Sequence, residues 1–341
     1  MHEGAIFVNE SSFIGNIGGG ASFNYIGNGT YGSQYSPFVI ISNSVFLENE
    51  GDFGAGFSMV AEKFPFVLIN NVSVVYNKNT EISAGLQYSA VLCLCTSREQ
   101  VIKVNKVFIS HNNMTGLLIV SCHVDFIYST STFSHNTSPY NGGGIWVDRN
   151  SFVRSLYSGK LLLAYNKAED YGGAIYSESD PFPHQLQQVT LRSKFGCTIS
   201  GIIAVYINNT AGMGGHDVYG GQFYHCFSNQ IKNTDIKSIE AINCSSKRWP
   251  VFANISSPLS SYISSTPFGV CLCKDSVKAS CNVRTIWREV YPGSVLSLSL
   301  ATVGMCGGIS PGQLTISEYS INVTLGSSDQ TRHLRCMASP L

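Results

Sequence analysis

The chain has 341 residues, 44% of them hydrophobic and only 12% charged, with Lys+Arg and Asp+Glu balanced at 21 each. That is ample apolar material for one long domain or two ordinary ones. A neutral, charge-poor chain without a basic run lacks the electrostatic footprint of a nucleic-acid or anionic-membrane binder. No apolar stretch reaches the ~18 uncharged residues of a membrane-spanning helix.

Taken in order, one phrase recurs. Phe13 and Asn16 precede Gly18-Gly19-Gly20, and Phe46 and Asn49 precede Gly54-Ala55-Gly56. Tyr76 and Asn77 precede Ala84-Gly85-Leu86, and Phe108 and Asn112 precede Gly116-Leu117-Leu118. Phe133 and Asn136 precede Gly142-Gly143-Gly144-Ile145, Tyr165 and Asn166 precede Gly172-Gly173-Ala174-Ile175, and Tyr206, Asn208 and Asn209 precede Gly214-Gly215. The repeat asparagines are read as Asn16, Asn49, Asn77, Asn112, Asn136, Asn166 and Asn208, 24 to 42 residues apart, a loose solenoid period. Met1 leads almost at once into Gly4-Ala5-Ile6, already part of the phrase. A secreted protein needs a leader, so a leader and earlier coils are expected before residue 1.

Between these marks lie short β-branched and aromatic runs, Phe38 to Ile41, Phe66 to Ile69 and Val101 to Ile109. No window of 11 or more residues sustains a helical period. The expected fold is all-β: a right-handed parallel β-helix whose coils stack about 4.8 Å apart. In such a coil, Phe or Tyr is expected to fill the narrow interior. Asn tolerates a left-handed turn and can bond the Asn one coil away. Gly-Gly lets neighbouring backbones approach. The uneven spacing predicts inserted loops, such as Tyr25 to Ser36 and Ser179 to His184.

The Gly-Gly phrase stops after Gly221, and Ser, Pro and Cys rise. Residues 1–245 are read as the β-helix. Residues 246–341 are read as a small disulfide-tied β module capping its open strand edge. Candidate disulfide cysteines there are Cys271, Cys273, Cys281 and Cys306. Eleven cysteines, including the Cys-x-Cys pairs Cys93/Cys95 and Cys271/Cys273, fit extracellular disulfides better than zinc or thioredoxin-like spacing. The odd count leaves one free thiol or one with a partner outside this stretch. Asn-x-Ser/Thr sequons at Asn9, Asn28, Asn71, Asn113, Asn136, Asn208, Asn243, Asn254 and Asn322 are candidate glycosylation sites of an extracellular or cell-surface protein.

The Phe-x-x-Asn and Gly-Gly-Ala-Ile phrases, as at Phe133 to Asn136 and Gly172 to Ile175, resemble polymorphic outer-membrane-protein-type β-helix repeats. A narrower likeness joins Gly215-His216-Asp217-Val218-Tyr219-Gly220-Gly221 and Cys226 to Ile263 through Cys273 and to Val290-Tyr291-Pro292-Gly293. It resembles a large family of uncharacterised cell-surface β-helix proteins of early-branching animals. That resemblance implies extracellular display, with further segments and a membrane anchor beyond this stretch. It implies no established activity and carries over no catalytic residue.

β-Helices also host polysaccharide lyases and hydrolases, so catalysis rests on particular residues and not on the fold. Asn233-Thr234-Asp235 resembles a polygalacturonase phrase but lacks the Asp-Asp pair such hydrolysis needs. Asp148-Arg149 and Glu169-Asp170 read as solvated turns, and His216-Asp217 as a turn at the solenoid end. His111 and His135 each precede a repeat asparagine. In neighbouring coils they would stack on one face, a weak metal-site motif. Gly18 to Gly20 and Gly142 to Gly144 precede strands, not the helix N-terminus that binds phosphate. No catalytic, cofactor or metal set is assigned. The expected function is a non-catalytic extracellular module for adhesion or recognition, with a glycan or cell-surface protein as partner. The rival is a carbohydrate-active enzyme, a polysaccharide lyase or glycoside hydrolase of the pectate-lyase-like β-helix type.

Overall fold

The computed structural model describes residues 6–26, 38–62, 66–80, 87–96, 100–148, 150–178 and 202–220, together with the backbone of strands between 263 and 340. Regular structure among them is all β, without a helix. Parallel strands stack in sheets, as in a β-solenoid.

Two sheets carry most of the stack. One places Ile6–Asn9, Phe38–Ser42, Phe66–Val75, Val101–Ser110, Thr130–Ser134, Lys160–Ala164 and Ala204–Ile207 side by side. The other runs Ala21–Ile26, Phe53–Glu62, Ser89–Cys95, Thr115–Val120, Ile145–Val147, Ile175–Ser177, Val218–Gly220 and Ile263–Ser264. Thr137–Ser138, Lys167–Ala168 and Thr210–Ala211 make a short third sheet. Ile263–Ser264 pairs in parallel with Val218–Gly220. Beyond it pairing is antiparallel: Gly269–Cys273 with Ser299–Val303, and Thr285–Glu289 and Tyr319–Ser328 with Thr331–Pro340.

Side chains alternate between core and surface because the strand period is two. One inward column runs Phe13, Phe46, Val74, Ile109, Phe133, Leu163 and Tyr206, each paired to the next by register. Phe46 and Phe133 are fully buried, and the Phe13 and Phe46 rings stack at 4.8 Å. The expectation that every Phe or Tyr of the phrase fills the interior needs correcting. Phe108, Tyr76 and Tyr165 are 42%, 53% and 49% exposed. The inward residue is the one three places before the asparagine; a ring at any other offset faces water.

Two corners of the coil use left-handed backbone largely at non-glycine residues. At the first corner φ is positive at Glu10, Asn43, Asn71, Lys106, Tyr128 and Tyr157. At the second it is positive at Gly15, Glu48, Tyr76, His111, His135, Tyr165 and Asn208. Left-handed φ at a non-glycine residue is uncommon. Here it recurs in register, coil after coil, because interstrand hydrogen bonds on both sides hold the turn.

Directly after the second corner comes a ladder of amides. The Nδ2 of Asn16 donates to Asn49 Oδ1 (2.8 Å), Asn49 to Asn77 (3.0 Å), Asn77 to Asn112 (2.9 Å), Asn112 to Asn136 (2.8 Å), Asn136 to Asn166 (3.0 Å) and Asn166 to Asn209 (3.1 Å). Each acceptor oxygen also takes the backbone N–H of the previous asparagine. The final rung is Asn209, not Asn208. Asn208 is the exposed corner residue, and Tyr206, three before Asn209, is the inward one. The ladder ends at Asp217, whose Oδ1 accepts from Asn209 Nδ2 at 3.0 Å.

The glycines answer to this stacking. A Cβ on Gly143 would sit 2.5 Å from the carbonyl oxygens of Gly173 and Lys167 in the next coil, well inside van der Waals contact. A disulfide, Cys95–Cys122, ties successive coils, while Cys93 is a buried free thiol pushed up to about 12 by desolvation. The sequence paired Cys93 and Cys95 only by spacing; their side chains both enter the core, but Cys95 bonds across to Cys122. Cys271 and Cys273 lie on Gly269–Cys273; their side chains, and Cys281 and Cys306, are outside the described residues. No helix among the described residues is long and apolar enough to cross a membrane.

Candidate functional site

The second corner builds the most regular surface feature. Because a left-handed residue turns its side chain away from the core, Tyr76, His111, His135 and Tyr165 project outward from four successive coils, and all four are exposed. Their ring centroids follow one another at 5.0, 4.6 and 5.0 Å. Glu48 precedes Tyr76 and Asn208 follows Tyr165 in the same column, as the corner hydrogen bonds Glu48 N–Val75 O and Tyr165 N–Ile207 O require. The sequence placed His111 and His135 on one face; Tyr76 and Tyr165 stand in the same column although both were expected in the interior.

The stacking decides what the column can do. The His111 and His135 planes are 5° apart, and those of His135 and Tyr165 are 18° apart. Ring faces are therefore spent on one another, and a ligand meets edges: phenol hydroxyls and imidazole nitrogens at rung spacing. In-plane lone pairs of parallel imidazoles run side by side and do not converge on one ion. Among the described residues no group of three or more His, Cys, Asp or Glu gathers as a metal set. His111 Nδ1 lies 2.6 Å from Ser110 Oγ, which in turn lies 3.0 Å from Ser134 Oγ. Partial burial, and then the neighbouring His135, hold His111 below its ordinary value.

A second exposed column runs alongside, two residues further on. Ile17, Glu50, Lys78 and Asn113 are bridged in parallel, and Thr137, Lys167 and Thr210 continue the line. Lys78 Nζ pairs with Glu50 at 2.6 Å. Between the two columns the buried asparagine ladder fixes the backbone. Another ring column, Trp146, Tyr176 and Tyr219 at 6.0 and 5.6 Å, lies on the second sheet. Tyr219 is 5% exposed, so its surface is far less available.

Three buried aspartates, Asp125, Asp148 and Asp217, are engaged structurally. Asp125 is buried, with His123 Nε2 at 2.8 Å and Arg154 Nε at 2.6 Å from one oxygen and Arg154 Nη2 at 3.2 Å from the other. Desolvation works against its ionised form, but the His123 and Arg154 hydrogen bonds prevail and hold it low. His123 and Asp125 share one strand, His123–Ile127, but Arg154 reaches them only across strands, 29 residues on, and that register is not written in the local sequence. Asp148 was expected to be solvated and is not. It is 6% exposed, accepts from the backbone N–H of Ser121 and Asn150 at 3.1 Å each, and is bonded by Ser151 Oγ. Asp217 is buried beneath the ladder, and desolvation pushes it up to about 6 against the opposing Asn209 bond. Its neighbour His216 accepts from Ala211 N–H through Nδ1 at 2.8 Å. Asn233-Thr234-Asp235 falls outside the described residues.

The sequons divide by burial. Asn9, Asn71, Asn113 and Asn208 are exposed. Asn136 is not a usable site in the folded chain: it is 0% exposed, and its Nδ2 donates to Ile109 O and Asn166 Oδ1. The side chain of Asn322, and Asn28, Asn243 and Asn254, are outside the described residues. No protein-family model, curated protein or solved structure matches this chain.

Proposed function

We propose that the chain is a right-handed parallel β-helix with a disulfide-tied C-terminal β module, displayed outside the cell as a non-catalytic adhesion or recognition element for glycans or proteins. The observation that carries this reading is the exposed Tyr76–His111–His135–Tyr165 column. Four ring edges are held at fixed spacing by a buried ladder, so little ordering entropy is left to lose on binding. A rigid solenoid presenting polar tips in line suits an extended ligand. Structural engagement of Asp125, Asp148 and Asp217 supports recognition over hydrolysis or elimination, which need carboxylates turned toward substrate. The Cys95–Cys122 bond and the exposed sequons support an oxidising compartment.

The test incubates the secreted, disulfide-intact protein with neutral and acidic polysaccharides and measures both retention and new chain ends. Retention without new ends, weakened in a Tyr76→Asn/Tyr165→Asn variant, is the expected result. Asn is chosen because Asn208 already occupies that corner. New chain ends produced by the wild-type protein would replace this reading with the enzymatic one.

A further inference from the structure

The two exposed columns together carry Glu48 and Glu50 against Lys78 and Lys167, so with neutral imidazoles the strip has no net charge. His111 and His135 are its central pair, on the coils between those of Lys78 and Lys167. The groups facing them are few: Tyr76 and Tyr165 above and below, the Ser110 and Ser134 hydroxyls beside His111, and Asn113 and Thr137 in the neighbouring column. Among the described residues no carboxylate forms an ion pair with either imidazole. At 4.6 Å and nearly parallel, two stacked imidazolium rings repel unless an anion lies along their outer edges. Protonation then turns a neutral strip into one bearing two extra positive charges on exposed rings, between Lys78, paired with Glu50, and Lys167.

Resting on the recognition reading above, we infer that the His111–His135 pair is an acid-activated binding site for an extended anionic glycan, whose sulfates or carboxylates lie along the rung-spaced imidazolium edges. Binding and proton uptake are then one linked event: each proton taken from solvent onto a ring is stabilised by the anion, and the anion binds better once the ring is charged. A polymer fits better than a single small anion, because the donors are repeated along the coil axis rather than gathered in a pocket.

The experiment measures binding of a heparin oligosaccharide, neutral dextran and linear polyglutamate to the intact protein at pH 7.5 and 5.5, by calorimetry in buffers of different ionisation enthalpy. Its comparison is the His111→Asn/His135→Asn double variant, checked for an unchanged thermal midpoint at pH 7.5. Heparin should bind about tenfold tighter at the lower pH, the scale of two favourable exposed charge contacts, with net proton uptake. Both effects should vanish in the double variant, and high salt should weaken the binding. The variant also separates these histidines from Asp217, whose carboxyl is raised to about 6. Heparin binding that ignores pH, or a pH effect that survives the double substitution, overturns the inference. If dextran or another neutral glycan binds equally to both proteins, recognition stands and the acid-activated site falls. Polyglutamate binding as tightly as heparin would overturn the glycan assignment in favour of bare charge.

Discussion

Replacing Asn136 by Ala should be among the most damaging single changes in the described chain. Its side chain is fully buried at the middle of the ladder, where Oδ1 accepts from both the backbone N–H and the Nδ2 of Asn112. Removing that oxygen strands two buried donors, at about 1–3 kcal/mol each, so the loss should be about 4 kcal/mol. Asn136→Asp separates hydrogen bonding from volume. It keeps the acceptor but points a carboxylate oxygen at Ile109 O and Asn166 Oδ1, which now receive Nδ2. That variant should be destabilised too, and increasingly so as pH rises and the buried carboxyl ionises. Asn16→Ala at the exposed first rung is the control and should cost under about 1 kcal/mol. Urea denaturation at constant m-value reads all three. A cost below about 1 kcal/mol for Asn136→Ala, or an Asp variant as stable as the wild type at pH 7, would refute the claim that the ladder holds the corner.

Three further outcomes follow from the same geometry. Asp217 is raised in the folded chain from an ordinary 3.8 to about 6, so its contribution to stability is full below pH ~4 and is lost as pH rises through 6. The difference is worth about 3 kcal/mol at most; Asp217→Asn should recover much of it at pH 7 and flatten the stability profile between pH 4 and 7, as urea midpoints across that range would record. Gly143→Ala should cost about 1–3 kcal/mol or more, because its methyl meets carbonyl oxygens of the next coil and not a movable side chain; a thermal midpoint equal to wild type would count against that stacking. Cys95→Ala/Cys122→Ala should lose about 3–4 kcal/mol, the loop entropy of a 27-residue separation, whereas Cys93 should resist alkylation in the folded state, as peptide mapping of the labelled native protein would show.

Much of the fold was legible because a solenoid repeats its physics in every coil. Phe-x-x-Asn at Phe13, Phe46 and Phe133 announces both an inward ring and a ladder rung. Where the inward residue is aliphatic, as at Val74, Ile109 and Leu163, a nearby outward aromatic, Tyr76, Phe108 or Tyr165, took its place. The three-residue offset was the overlooked signal, and it also selects Asn209 over Asn208. Asp125 with Arg154, and Cys95 with Cys122, were illegible for a different reason. These partners meet only when coils of unequal length are brought into register, and nothing local to either residue states that register. The exposed column lay between these cases: His111 and His135 shared a slot visible in sequence, but their parallel stacking, and hence what their edges offer, depends on the left-handed corner.

The most direct test of the account is where a ligand sits. Diethyl pyrocarbonate labelling of the free protein should modify His111 and His135 readily, and His123, half-buried against Asp125, far less. Adding the polysaccharide retained in the binding panel should protect His111 and His135 selectively, without shortening the polymer. Protection elsewhere with these two histidines still fully labelled would contradict the assignment of this corner as the recognition surface.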